Sequence, residues 1–279
     1  MKKKMILCLF ALGLLTSCGS AASTSETATT DTTKTESSTA DRETVFQVSL
    51  LQGLTLGDYY GSITVNDLKQ KGDTGIGTFE GVNGELIMLD GTVYRALSDG
   101  SVEVAPDDET IPFANVTFFD TDEKENINGI SGIADLKELL DEKIEQLGKN
   151  RFYMVRIDGT FKKVHARSEL KQQEPYKPLA EALKTDQREF SWEDTEGTVV
   201  ALYCPQYMND LNAVGWHLHF VSADHSAGGH LLDIDIDSAD LKIDCTQGFN
   251  MLLPETKMFP DLDLTIDQSE DIKNVETKD

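Results

Sequence analysis

Positive charge is scarce in this chain. Against 49 Asp and Glu stand only 25 Lys and Arg, a formal net charge of −24, and that balance argues against nucleic acid or an anionic membrane surface as a partner. Cysteine is scarce too. Of four cysteines, Cys204 and Cys245 fall in the body of the chain, and neither has the closely spaced second cysteine of a thiolate metal site. One disulfide between them and two buried thiols are both open readings. There is no HExxH helix of the metalloprotease kind and no internal repeat. The Gly75–Gly77 pair is a mere fragment of a nucleotide fingerprint, lacks a strand-to-helix context, and reads as turn glycine. The one marked apolar run, residues 5–15, is too short to span a bilayer as a permanent helix.

That run follows Lys2, Lys3 and Lys4 and leads to Thr16, Ser17 and Cys18, the pattern of an export signal. Its LTSC end resembles a bacterial lipobox, which implies loss of residues 1–17 and a lipid on Cys18; ordinary cleavage is the alternative. Residues 18–43 are almost entirely Ser, Thr, Ala, Asp, Glu and Lys. A segment with no large apolar residue cannot offset the entropy of ordering and reads as a tether. The expectation is an exported protein, anchored to the outer face of the membrane through Cys18 alone, or secreted, with its folded body starting at Thr44.

Within the body, alternating apolar positions from Val45 predict a strand followed by glycine-punctuated turns. Residues 71–106 set short apolar runs between glycine-containing turns, the pattern of an antiparallel meander. Residues 112–120 form another strand. Ile133, Leu136, Leu139, Leu140, Ile144 and Leu147 recur at helical spacing, with Ser131 as the expected cap. A strand to Ile157, an Asp-Gly turn and a second strand past Val164 follow. From composition alone, Arg167 and His165 read as surface residues, Arg167 as a cation or structural ion pair. Strands dominate a minority of helix, so the fold class is α+β, with mixed, largely antiparallel sheets.

Four of the five histidines fall in residues 215–235. His217 and His219 project from one face of a strand, with Trp216, Leu218 and Phe220 on the other. After a polar, glycine-rich turn that holds His225, an alternating pattern resumes and brings His230 back beside the pair. Three neutral imidazoles from one hairpin can hold a divalent metal with positions left for water or substrate, zinc first among the candidates. The pattern alone does not name a reaction. Hydrolysis by a metal-activated water, an electron-sink role at a carbonyl, and metal binding without catalysis all remain open.

The body, from about Val45 onward, closely resembles the α-acetolactate decarboxylase family. The resemblance is carried by YYGSITVNDL, GDTGIGTFEGVNGELIMLDG, VRIDGTFKKVHAR, residues 173–176, and WHLHF followed by GGHLLD. It implies a zinc ion on His217, His219 and His230, and a pocket with Glu85, Thr78, Arg167 and, in the C-terminal tail, Glu276, for which Glu270 competes. It further implies that 2-acetolactate is the small-molecule substrate, decarboxylated to acetoin and CO2 through an enediolate stabilised by zinc. Arg167 thereby becomes a site residue. The family pattern also implies two parts, residues 44–150 and a metal-binding part from 151 to 279, assembled as a homodimer.

Overall fold

The computed structural model describes residues 40–276, with side-chain surroundings through Ile272. The export segment, Cys18 and most of the tether lie outside the described residues. The chain opens with β1 (Thr44–Val48), α1 (Leu51–Thr55), β2 (Ile63–Thr64) and α2 (Val65–Leu68). A run of strands follows: β3 (Thr74–Thr78), β4 (Glu85–Leu89), β5 (Thr92–Ala96), β6 (Val102–Val104), β7 (Thr110–Ile111), β8 (Phe113–Thr117) and β9 (Glu123–Ser131). Then come α3 (Ile133–Leu147), β10 (Phe152–Glu169), α4 (Leu179–Asp186), β11 (Gln187–Cys204), β12 (Gly215–Ser222), β13 (Gly228–Thr246), β14 (Gly248–Leu252) and α5 (Ser269–Glu276).

The expected meander forms: β3, β4, β5 and β6 pair antiparallel in order. With β8, β1 and β14 they make a seven-stranded sheet whose single parallel pairing joins β1 to β14. The second sheet runs β10-β11-β12-β13-β9, and a further pairing of β10 with β13 closes a circuit of four strands. The mixed, largely antiparallel α+β class is therefore as the sequence reads. A cut at residue 150 does not sort the strands by sheet, because β9 precedes it yet pairs with β13, and β14 follows it yet pairs with β1.

Strand parity divides the core. On β4, Leu86 and Met88 turn to one apolar layer with Val48, Val65 and Val93, whereas Ile87 turns to another with Val45 and Ile76. This second layer also takes Met154, Val200, Leu202 and Val221 from the second sheet, so the two sheets pack face to face there. The opposite face of the second sheet buries Trp216, Leu218 and Phe220 with Leu136, Leu140 and Ile144 of α3. That helix is anchored by Trp216 Nε1, which donates to Asp141 at 2.7 Å.

Four local readings change. Ser131 ends β9 and caps nothing; α3 starts after Gly132, and its first amides are met from across the sheet, Gly132 by Asp235 Oδ1 at 2.8 Å and Ile133 by Asp233 Oδ1 at 3.0 Å. Asp158-Gly159 is no turn but the middle of β10, which runs unbroken for 18 residues. Gly159 is there because β13 passes so close that a Cβ would sit 2.3 Å from the Ser238 carbonyl oxygen. Gly75 and Gly77 likewise lie inside β3, against the β8 backbone. Two short helices, α1 and α4, replace expected turns and irregular chain. No disulfide joins Cys204 and Cys245.

Because the groups around Gly159 are the Ser238 carbonyl oxygen and the Cα and Cβ of Ala239 on a paired strand, neither side can retreat. Gly159→Ala is expected to cost about 3 kcal/mol, read as a lower urea midpoint with an unchanged m-value. A variant as stable as the parent would contradict this packing.

Candidate metal centre and surrounding cavity

Cross-strand register assembles the site from two rows. In the first sheet Phe113, Thr78 and Glu85 lie side by side on β8, β3 and β4. They share the face of Ile76 and Ile87, the face that meets the second sheet. In the second sheet Arg167, His230 and His219 are neighbours on β10, β13 and β12, and His217, two residues before His219, shares their face. The β10–β13 register shifts by one residue between His165 and Ala166. Continued without that bulge, the register would set Arg167 opposite Leu231, whose side chain belongs to the layer around α3; with it, Arg167 faces His230. Gly229 permits the approach, since a Cβ there would lie 2.4 Å from the Arg167 carbonyl oxygen.

The three imidazoles converge. His217 Nε2 is 3.0 Å from His219 Nε2 and 3.1 Å from His230 Nδ1, and all three rings are buried, His219 completely. His219 Nδ1 donates to the Leu86 carbonyl oxygen at 2.9 Å, which leaves its Nε2 lone pair directed at the other two nitrogens. Burial, and after it the charges of Arg167 and Lys137, push the His217 pKa down to about 3. Burial, then His217, push His219 well below its ordinary value. Three buried imidazoles turned toward one another at this range, two of them held neutral, are a donor set that a divalent cation fits.

Around them lies a single cavity whose polar lining is Thr78, Glu85, Arg167, Glu169, His217 and His230. Glu85 Oε2 reaches to 3.5 Å from His219 Nε2. Thr78 Oγ1 donates to the Gly84 carbonyl oxygen at 2.8 Å, bracing the turn that presents Glu85. Arg167 Nη1 donates to Gln187 Oε1 at 3.0 Å, and its Nε stands 3.7 Å from Glu169 Oε1. The rest of the lining is apolar, chiefly Leu51 and Leu54 of α1 and Leu179 and Leu183 of α4.

Thus Thr78, Glu85, Arg167, His217, His219 and His230 come together. The Glu276 side chain lies outside the described residues, and Glu270 is exposed in the first turn of α5. His225 is not part of the cluster: it sits in the hairpin turn at φ 55° and stacks on Tyr94, ring centroids 4.4 Å apart. His165 is partly exposed beside Glu189. Sequence reasoning missed Glu169, although its spacing two residues after Arg167 on a strand puts both on one face. It also missed the apolar wall, because α1 and α4 were not foreseen.

Fold and site define a class: a β-rich protein of two facing sheets, with a buried three-imidazole centre in a cavity that also presents a carboxylate and a guanidinium. The family model described as alpha-acetolactate decarboxylase matches residues 45–266, and the chain belongs to that family. It is 39% identical over 234 residues to the alpha-acetolactate decarboxylase of Methanosarcina mazei, covering 84% of this chain and 80% of that one. To that of Brevibacillus brevis it is 36% identical over 273 residues, 95% of each chain. The crystal structure of alpha-acetolactate decarboxylase from Bacillus subtilis strain 168 superposes with a TM-score of 0.81 at 34% identity, covering 84% of this chain and all of that one.

The depressed His217 pKa sets a pH dependence. An unfolded histidine takes up a proton near its ordinary value of 6.5, whereas folded His217 does so only at about 3. Between these values the unfolded chain binds more protons, so stability is present above about 6.5 and lost as pH falls toward 3. In chelator-treated protein, His217→Gln should flatten this part of the urea-midpoint profile; an unchanged slope would show that His217 is not held neutral.

Proposed function

We propose that this chain decarboxylates 2-acetolactate to acetoin and CO2 at a divalent metal, zinc by preference, held by His217, His219 and His230. The observation that carries the reading is the meeting of three buried imidazoles with Glu85 and Arg167 beside one cavity, in a chain of this family. The metal, when bound, supplies Lewis acidity toward the ketone and hydroxyl oxygens of the substrate.

The chain's own residues do the rest. Arg167, buried and offering a fork of N–H donors, meets the substrate carboxylate and orients the bond to be broken. As that bond breaks, its electron pair passes toward the ketone oxygen, and one proton is taken up at carbon for each CO2 released. Glu85, 3.5 Å from His219 Nε2, is placed to hold and return a proton beside the reacting oxygens. Thr78 keeps the Glu85 turn in position. Leucines of α1 and α4 exclude water, which strengthens each charge interaction inside. With this function we propose attachment through a lipidated Cys18, checked by mass spectrometry of the mature N-terminus, and a homodimer, checked by sedimentation equilibrium.

The test is zinc-loaded protein incubated with racemic acetolactate, with acetoin and CO2 measured above the spontaneous rate. Release by the parent protein supports the reading, and release no faster than the blank overturns it. His219→Ala should lose bound metal and activity together. Arg167→Ala should keep the metal and lose about 10- to 100-fold in kcat/KM. Glu85→Gln, which keeps shape and removes charge, should also bind metal and turn over slowly; parental kinetics would remove Glu85 from proton handling.

A further inference from the structure

Arginine has a long side chain with many rotamers, and a group that must meet a small anion has to be held within about 0.5 Å of its working position. What aims Arg167 is therefore part of the site. Its guanidinium donates through Nη1 to Gln187 Oε1 at 3.0 Å. The same amide donates through Nε2 to Glu189 Oε1 at 2.9 Å, and Glu189 Oε2 is 3.1 Å from His165 Nε2. Gln187 and Glu189 are alternate residues of β11, His165 and Arg167 alternate residues of β10, and Glu189 is opposite Arg167 in register. All four side chains thus share one face, in a ladder that runs from the buried cavity to partly exposed His165.

The chemistry at position 187 is constrained from both sides. Arginine has only donors and a carboxylate only acceptors. A side chain between them must accept on one side and donate on the other, which an amide does without adding charge. A carboxylate there would oppose Glu189, and a cation would oppose Arg167. The amide is also anchored by its place in the chain: Gln187 is the first residue of β11, directly after α4, whose Leu179 and Leu183 wall the same cavity.

We infer that Gln187, itself held by Glu189, is a positioning residue for Arg167: it helps set the direction in which the guanidinium meets the substrate carboxylate. The inference rests on the decarboxylase reading above and extends it to a residue that touches neither metal nor substrate.

The test is a double-mutant cycle in zinc-loaded full-length protein, with kcat/KM for acetolactate as the readout and metal content and thermal midpoint as controls. Gln187→Met keeps the volume and removes both hydrogen bonds; Gln187→Ala is the second variant, should methionine fit badly. Either is expected to lose about tenfold in kcat/KM with full metal content. In an Arg167→Ala background the same change should cost less than about twofold, because the group it acts through is gone. Equal losses in the two backgrounds would mean a merely structural role and overturn the inference, as would parental kinetics in both variants. A parent protein that releases no CO2 would overturn the decarboxylase reading and this role with it, whereas an active parent with additive losses would overturn only the role of Gln187.

Discussion

Everything at the centre of this molecule depends on three buried imidazoles whose nitrogens are brought within 3.0 and 3.1 Å contacts. Burial holds His217 and His219 neutral, so their rings present lone pairs toward one another and toward His230, an arrangement that a bound cation turns from repulsive to favourable. Holding it requires the sheets to agree. The period-two alternation of β12 puts His217 and His219 on the inner face, the antiparallel return of β13 sets His230 opposite His219, and the Leu86 carbonyl of the other sheet fixes the tautomer of His219. The centre is thus a product of sheet packing, and anything that slides one sheet over the other would dismantle it.

The cavity divides its labour by secondary structure. Polar groups stand on strands, where paired backbones hold them in place, and much of the apolar wall comes from the short helices α1 and α4. A small anionic keto acid entering such a space would meet charge on one side and hydrocarbon on the other. Low polarity around Arg167 and Glu85 makes each of their interactions stronger than it would be in water.

Much of this was legible in the residues. The spacing of His217, His219 and His230, the meander and the amphipathic face of α3 follow from periodicity alone, since one face of each element is apolar. Glu85, Thr78 and Arg167 came only from the family resemblance, because no local pattern brings Arg167 of β10 to the paired strands β3 and β4 that carry Thr78 and Glu85. Arg167 shows why: from composition it reads as a surface cation, and what buries it is a one-residue bulge that no residue type announces. Asp158-Gly159 reads as a turn because that dipeptide favours turns, yet here the glycine answers to the close passage of β13, a contact from a strand about 80 residues further on. Gln187 and the leucines of α4 were missed for a similar reason: their partners are set by tertiary register and not by sequence neighbours.

The most direct measurement is a titration of chelator-treated protein with zinc, following bound metal and CO2 release from acetolactate together. If the imidazole triad holds the catalytic ion, release should rise in proportion to bound zinc, reach its plateau at one ion per chain, and be absent when His217 is replaced by glutamine. Full release from metal-free protein, or a plateau unrelated to metal bound by these three histidines, would contradict it.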